Sequence, residues 1–312
     1  MKNFDVLILG SGINAYAMAR SFHEQYGVVS SLMTEASEKI TDSSSICSVQ
    51  IETHLLDSGV FKRRLGEIGA GSNKEIILVG SENKYVRMIV ESADFLKTWF
   101  KFNYVDERTL DTILDGEKFY KTYANLTLSF PHDHVFIDNP PTYKSFFYCS
   151  SDGVPRLQTF AQVVSDDVAI NGYNQFENTE GIVLELKKFL ASIGFKGMAE
   201  FNLIYDEFLH KFYVVNLQLV TPFIVLPGAE HNVAKYLVDD LIYQKRVDFE
   251  FVSDEFVLST TASATFKQGV LNEQHLIKAM ELSKNGNFTH ISNYKNDEPI
   301  KRKWWFFTKK RG

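Results

Sequence analysis

Apolar runs broken by short polar turns set out most of the chain. Residues 6–9 are continuously apolar and end in Gly10-Ser11-Gly12-Ile13-Asn14-Ala15, a pattern that predicts a buried parallel strand followed by a tight turn. Ala15, Met18, Ala19 and Phe22 then recur on one helical face. Further strands are predicted at 28–33, 46–51 and 75–79. A helix over 55–68 stops at Gly69. Another, over 82–101, carries Tyr85, Ile89, Leu96 and Trp99 on one stripe. Strand, glycine turn and helix form the first unit of a doubly wound α/β fold.

The second part reads differently. A helix is predicted over 109–123, then an extended stretch over 126–136. Asn139-Pro140-Pro141 reads as a stiff linker. Strands over 143–148 and 156–164 flank Ser151-Asp152-Gly153 as a hairpin turn. Asn178 or Thr179 starts a helix with Ile182, Leu186, Phe189, Leu190 and Ile193 on one side, stopped at Gly194. Strands at 198–205 and 211–220 form a hairpin around the turn 206–210. A helix over 229–243 and strands at 249–260 and 263–266 follow. The predicted organisation is a Rossmann-like unit at 1–102, an α+β unit with an antiparallel sheet at 103–300, and a tail at 301–312.

The hairpin at 198–220 carries the candidate chemistry. Its second strand is apolar past Lys211 except for Asn216 and Gln218. Alternate strand positions share a face, so these two point the same way, and Glu200 joins them from the neighbouring strand. A carboxylate and amides on one face offer oxygen ligands to a hard cation. The competing reading is a buried hairpin whose few polar groups bond one another. His132 and His134 alternate in an extended stretch, but no third ligand lies nearby in sequence, so they read as surface histidines.

The glycine turn exposes amides at a helix N-terminus, a natural anion site. Glu35 lies at about the distance from it at which a dinucleotide fold keeps its ribose-binding acid. A nicotinamide-dependent oxidoreductase built on Gly10, Gly12 and Glu35 is therefore one functional class.

Composition narrows the rest. The net charge of −6 in 312 residues argues against a nucleic-acid binder working by bulk charge. Two cysteines are too few for a disulfide framework and fit a reducing cytoplasm. The first apolar run is too short for a signal peptide or a membrane span. The tail KRKWWFFTKKRG flanks four aromatics with basic triplets. That suits a membrane interface or an acidic partner, or a final docked strand with a solvated basic end.

The order and spacing of these segments resemble ATP-grasp proteins, in the carboxylate–amine ligase branch of the D-aspartate ligase kind. The family's second hairpin strand ends in Glu-Ile-Asn-Pro-Arg; here the stretch is Val214-Val215-Asn216-Leu217-Gln218. Asp115-Gly116-Glu117-Lys118-Phe119-Tyr120 resembles Asp-Lys-x-x-Phe-Tyr, with Gly116 at the position of a phosphate-contacting Lys. On a helix Lys118 lies about 200° around from it. Ser81-Glu82-Asn83 resembles the turn after the family's third strand. The α/β subdomain that closes over ATP is missing after Ile137, and with it a second Lys.

The resemblance implies Mg²⁺-ATP and amide-bond formation through an acyl phosphate. It places Gly10, Ser11, Gly12 and Asn14 against a carboxylate or amino-acid substrate, Glu200 and Asn216 on the metal, and Gln218 where a catalytic Arg stands. With so many cations replaced, ATP use and catalysis are expected to be reduced or lost, as in a pseudoenzyme. A non-catalytic regulator, partnered with itself or with an intact ligase, is the neighbouring reading. Which carboxylate or amine is involved is not legible.

Overall fold

The apolar run after Asn3 forms the middle of a five-stranded parallel sheet. In the computed structural model, which describes residues 3–126, 128–131, 140–165, 167–172, 179–225, 231–260, 278, 281–282, 285, 288–292 and 294–297, β1 (Phe4–Leu9) lies between β2 (Ser30–Thr34) and β4 (Glu75–Gly80). β3 (Cys47–Ile51) flanks β2 and β5 (Phe100–Lys101) flanks β4. Both faces are covered, so the strand side chains divide between two cores. Val6 and Ile8 pack with Ala15, Met18 and Phe22 of α1 (Gly12–Tyr26). Leu7 and Leu9 pack with Phe61 and Leu65 of α3 (Ser58–Gly71) and with Tyr85 and Ile89 of α4 (Asn83–Glu91). A four-residue helix α2 (Lys39–Asp42) precedes β3.

The helix expected over 82–101 is shorter. α4 closes at Ser92, a second short helix α5 (Ala93–Leu96) follows, and the chain then enters β5. Pairing with β4 gives that backbone its partners, and Phe100 is buried in the same core. The helix expected over 109–123 is likewise two, α6 (Glu107–Leu114) and α7 (Gly116–Tyr123). Asp115 breaks it. Its carboxylate accepts from the backbone N–H groups of Glu117 and Lys118, both at 3.1 Å, which caps a new helix rather than continuing the old one.

The second sheet has nine strands. Its path runs β11 (Lys211–Gln218), β10 (Gly197–Asp206), β6 (Thr142–Cys149), β8 (Ala161–Ser165), β9 (Val168–Asn171), β13 (Phe256–Ser259) and β14 (Phe288–His290). β7 (Pro155–Thr159) pairs with the far part of β6, and β12 (Glu250–Val252) with β7. The pairs are antiparallel except β7–β12 and β13–β14, which are parallel, so the sheet is mixed where an antiparallel one was expected. The strands expected over 156–164 and 249–260 each divide in two, and the strand expected at 263–266 lies outside the described residues.

One face of this sheet packs Phe147, Phe201 and Leu203 against Leu186, Phe189 and Leu190 of α8 (Thr179–Ser192). The other sends Phe146, Tyr148 and Met198 into the core that also holds α1 and α9 (Val233–Leu241). That core is therefore continuous between the two sheets. Asn232 caps α9 through Ala234 and exchanges two hydrogen bonds with Ser21 of α1. Asp297 ties the C-terminal segment back. Its carboxylate accepts from Tyr16 Oη at 2.9 Å, Ser44 Oγ at 2.8 Å, and Ser45 N and Oγ at 2.7 and 2.8 Å. Only eight residues separate Pro131 from Pro140, too few for a lid subdomain at that point.

Candidate functional site

The face of β10 and β11 is set by their register. Glu200 lies opposite Gln218, and Asn202 opposite Asn216. Directly opposed residues of an antiparallel pair share a face, so all four point the same way, together with Lys144 and Phe146 of β6, which oppose Asn202 and Glu200. The alternation does not continue down β11. Its partner register jumps from Asn202–Asn216 to Leu203–Val214, leaving Val215 as the extra residue of a bulge. Val215 is 42% exposed, whereas Val214 is fully buried among Leu203, Phe212 and Leu217 in the core against α8. Regular alternation would put Val214 on the face of Asn216. The bulge turns it to the opposite one.

The polar groups on this face are already partnered. Glu200 is 1% exposed. Its Oε1 accepts from Lys144 Nζ at 2.9 Å and its Oε2 from the Thr221 hydroxyl at 2.6 Å. The Thr221 oxygen in turn accepts from Phe223 N, and the Lys144 ammonium lies 4.7 Å from the centre of the Phe223 ring. Asn202 Nδ2 donates to Asn216 Oδ1 at 2.7 Å. Gln218 is exposed at the end of β11.

This donor set does not fit Mg²⁺. The ion needs close oxygen ligands, usually with more than one carboxylate or phosphate among them. Here one carboxylate has both oxygens taken by donors, the neighbouring amide oxygen is taken by another amide, and the adjacent strand position points into the core. Among the described residues no three His, Cys, Asp or Glu side chains gather into a metal-binding group. His132 and His134 lie outside the described residues.

The glycine turn is built as its sequence requires. Gly10 and Gly12 take φ of +116° and +77°, the left-handed side that favours glycine. A Cβ at Gly12 would come within 2.5 Å of the Glu38 carboxylate. Ser11 donates to Ala36 O and Asn14 to Ser81 O, so both side chains hold the turn against the following loops. Glu35 pairs with Lys84 at 3.3 Å. Gly116 begins α7, and Lys118, two residues on, pairs with Asp115 at 3.5 Å on the surface. Two cavities, of about 270 and 580 Å³, lie elsewhere. The smaller is lined by Arg156, Asp240 and Lys245, the larger by the 102–107 connection and Lys196, and Glu200 lines neither.

The resemblance is carried by solved structures across both sheets. The biotin carboxylase domain of the Hydrogenobacter thermophilus 2-oxoglutarate carboxylase, solved with MgADP, ADP and bicarbonate, superposes with a TM-score of 0.55. It is 10% identical over 82% of this chain and 73% of its own. The L-amino acid ligase of Bacillus licheniformis gives 0.51, at 11% identity over 77% and 71%. The chain has the ATP-grasp fold. In sequence, this ATP-grasp chain is 25% identical over 134 residues to the D-aspartate ligase of Enterococcus faecium strain Aus0004. That match spans 42% of the chain and 32% of the relative, about a third of the ligase's length. No family model matches the chain.

Sequence reasoning on this ATP-grasp chain found Glu200, Asn202's neighbour across the hairpin and the glycine turn. It missed Lys144 and Thr221. A signal for Lys144 was present: a lysine inside the apolar strand 143–148 is seldom buried without a partner. Thr221 sits past the end of β11 and carries no such mark.

Proposed function

We propose that this chain is an ATP-grasp relative that binds a small acid or amino acid without forming amide bonds at ligase rates. The observation that supports this is the state of Glu200. The single acid on the hairpin face is neutralised by Lys144 and held by Thr221, so each of its oxygens already has a donor and its charge is already matched where the family's chemistry needs a metal. Three further positions agree. Gly116 and Gln218 stand where the resemblance expects Lys and Arg, and the short connection between Pro131 and Pro140 has no room for the lid subdomain that would there exclude water from an acyl phosphate. Each lost contact to developing charge commonly costs about 10²–10³ in rate.

ADP release by the purified chain, across a panel of amino acids and carboxylates with ATP and Mg²⁺, tests this. The expected result is release no faster than in the absence of substrate. Substrate-dependent release at ordinary enzymatic rates overturns it. Thermal shift with ATP and with NAD separates this reading from the oxidoreductase built on Gly10, Gly12 and Glu35. A saturable shift with NAD alone favours the latter.

A further inference from the structure

Lys144 reaches Glu200 from the neighbouring strand. It opposes Asn202 on β10, two residues from Glu200, so the pair is a diagonal one on a shared face. Its ammonium lies over the Phe223 ring and donates to Glu200 Oε1. A carboxylate that is 1% exposed has to be neutralised where it lies. Two kinds of cation can do so: a metal ion brought from solution, or a charge supplied by the chain. The chain supplies it.

We propose that Lys144 is the resident cation of this sheet face and that it excludes divalent metal from Glu200, leaving a metal seat that opens only when Lys144 is removed. A divalent ion bonded to Glu200 Oε1 would sit about 2–2.6 Å from that oxygen, in the space the ammonium fills at 2.9 Å. The two positive charges cannot share one carboxylate oxygen at that range without strong repulsion. Thr221 strengthens the exclusion. Its hydrogen points at Oε2 and its oxygen already accepts from Phe223 N, so the hydroxyl is set to serve an anion's neighbour rather than a metal. With the ammonium gone, Glu200 Oε1 loses its cation, and Gln218 lies opposite Glu200 across the hairpin. That leaves one buried carboxylate oxygen without a countercharge, facing the strand position of the exposed Gln218 amide.

This inference concerns the same face as the proposed function but is read out separately, since Mn²⁺ occupancy is measured without ATP or turnover. Mn²⁺ alone is titrated into the full chain and the free ion followed by electron paramagnetic resonance. Wild type and Glu200→Gln are expected to leave the free-ion signal unchanged. Lys144→Ala is expected to deplete it saturably, binding roughly tenfold tighter or more than wild type because one like charge beside the seat is gone. The double variant Lys144→Ala/Glu200→Gln is expected to lose that gain. Lys144→Met keeps a long unbranched side chain at this position and serves where the alanine variant fails to fold. Mn²⁺ binding by wild type that disappears in Glu200→Gln overturns the proposal. So does a folded Lys144→Met or Lys144→Ala chain that takes no more Mn²⁺ than wild type.

Discussion

Val214 pairs with Leu203 and points into the core against α8, although Asn216, two residues along the same strand, pairs with Asn202 on the opposite face. The bulge at Val215 is the cause. It means that the position where the resemblance expects a second metal-binding Glu is, in this chain, a hydrophobic core position.

Val214→Glu is therefore expected to destabilise the fold rather than restore a metal site. It would place a carboxylate among the apolar side chains of Leu203, Phe212 and Leu217. The cost is expected to be on the order of 4 kcal/mol, read as a fall in the urea midpoint, with no gain in Mn²⁺ binding. Wild-type stability together with new Mn²⁺ binding would mean that the strand alternates regularly through Val215.

The Lys144–Glu200 pair gives a second expectation. Breaking a buried pair by removing one partner leaves the other charge uncompensated, at a cost of about 3–5 kcal/mol, whereas replacing both with apolar residues of similar size is often close to neutral. Lys144 is 22% and Glu200 1% exposed at the side chain, so the lower end of that range applies. Lys144→Ala is expected to lose about 3 kcal/mol. Lys144→Met/Glu200→Leu is expected to lose much less than the sum of its single variants. Strict additivity in denaturant titrations would show that the two side chains do not interact.

How far the sequence carried these conclusions differs between the two sheets. Four of the five strands of the first sheet were legible, the central two because a parallel sheet covered on both faces writes a strand as an unbroken apolar run, as at Val6–Leu9 and Ile76–Val79; β5 was not, since Phe100 and Lys101 fell inside the helix expected over 82–101. The later helices were not either, because the stripe through Tyr85, Ile89 and Leu96 stays in phase across the break at Ser92. In the second sheet the hairpin was found and its Glu200, Asn216 and Gln218 were placed on one face correctly. Their use was not legible. A ligand set and a self-bonded polar cluster require the same residues, and what decides between them is Lys144, a residue 56 positions away in sequence. The bulge at Val215 has no mark either, since Val-Val reads as ordinary strand. Asp115 was visible as part of a motif, yet its capping of α7, which splits the expected helix, follows from a local competition that periodicity does not report.

Acid sensitivity is expected to report on Asp297. Burial alone would raise its carboxyl, but hydrogen bonds from Ser44, Ser45 and Tyr16 outweigh that and hold it below the usual carboxylate range. A carboxyl whose pKa is lower folded than unfolded adds stability above its unfolded value, and that stability is lost as pH falls through the folded one. Asp297→Asn is therefore expected to cost about 2 kcal/mol at neutral pH and progressively less below pH about 4. Urea midpoints of both chains from pH 3 to 7 test this. A gap that stays constant over the range would remove Asp297 from the acid response.

The tail KRKWWFFTKKRG lies outside the described residues, and among those that are described no helix is long and apolar enough to cross a membrane. Lys301, Arg302, Lys303, Lys309, Lys310 and Arg311 bracket Trp304, Trp305, Phe306 and Phe307. Each cation near an anionic leaflet is worth about 1 kcal/mol, and aromatic side chains favour the headgroup level. A single short segment of this kind binds reversibly and by charge as much as by burial. The full chain is expected to sediment with phosphatidylserine vesicles and not with phosphatidylcholine ones, and to release in high salt as screening shortens the reach of its charges. A chain ending at residue 300 keeps the Asp297 contacts that tie the C-terminal segment to α1, so it is expected to stay folded and to lose vesicle binding. Equal sedimentation of the two chains would leave the tail without a membrane role. Binding to phosphatidylcholine that resists salt would mean that the four aromatics, and not the six cations, make the contact.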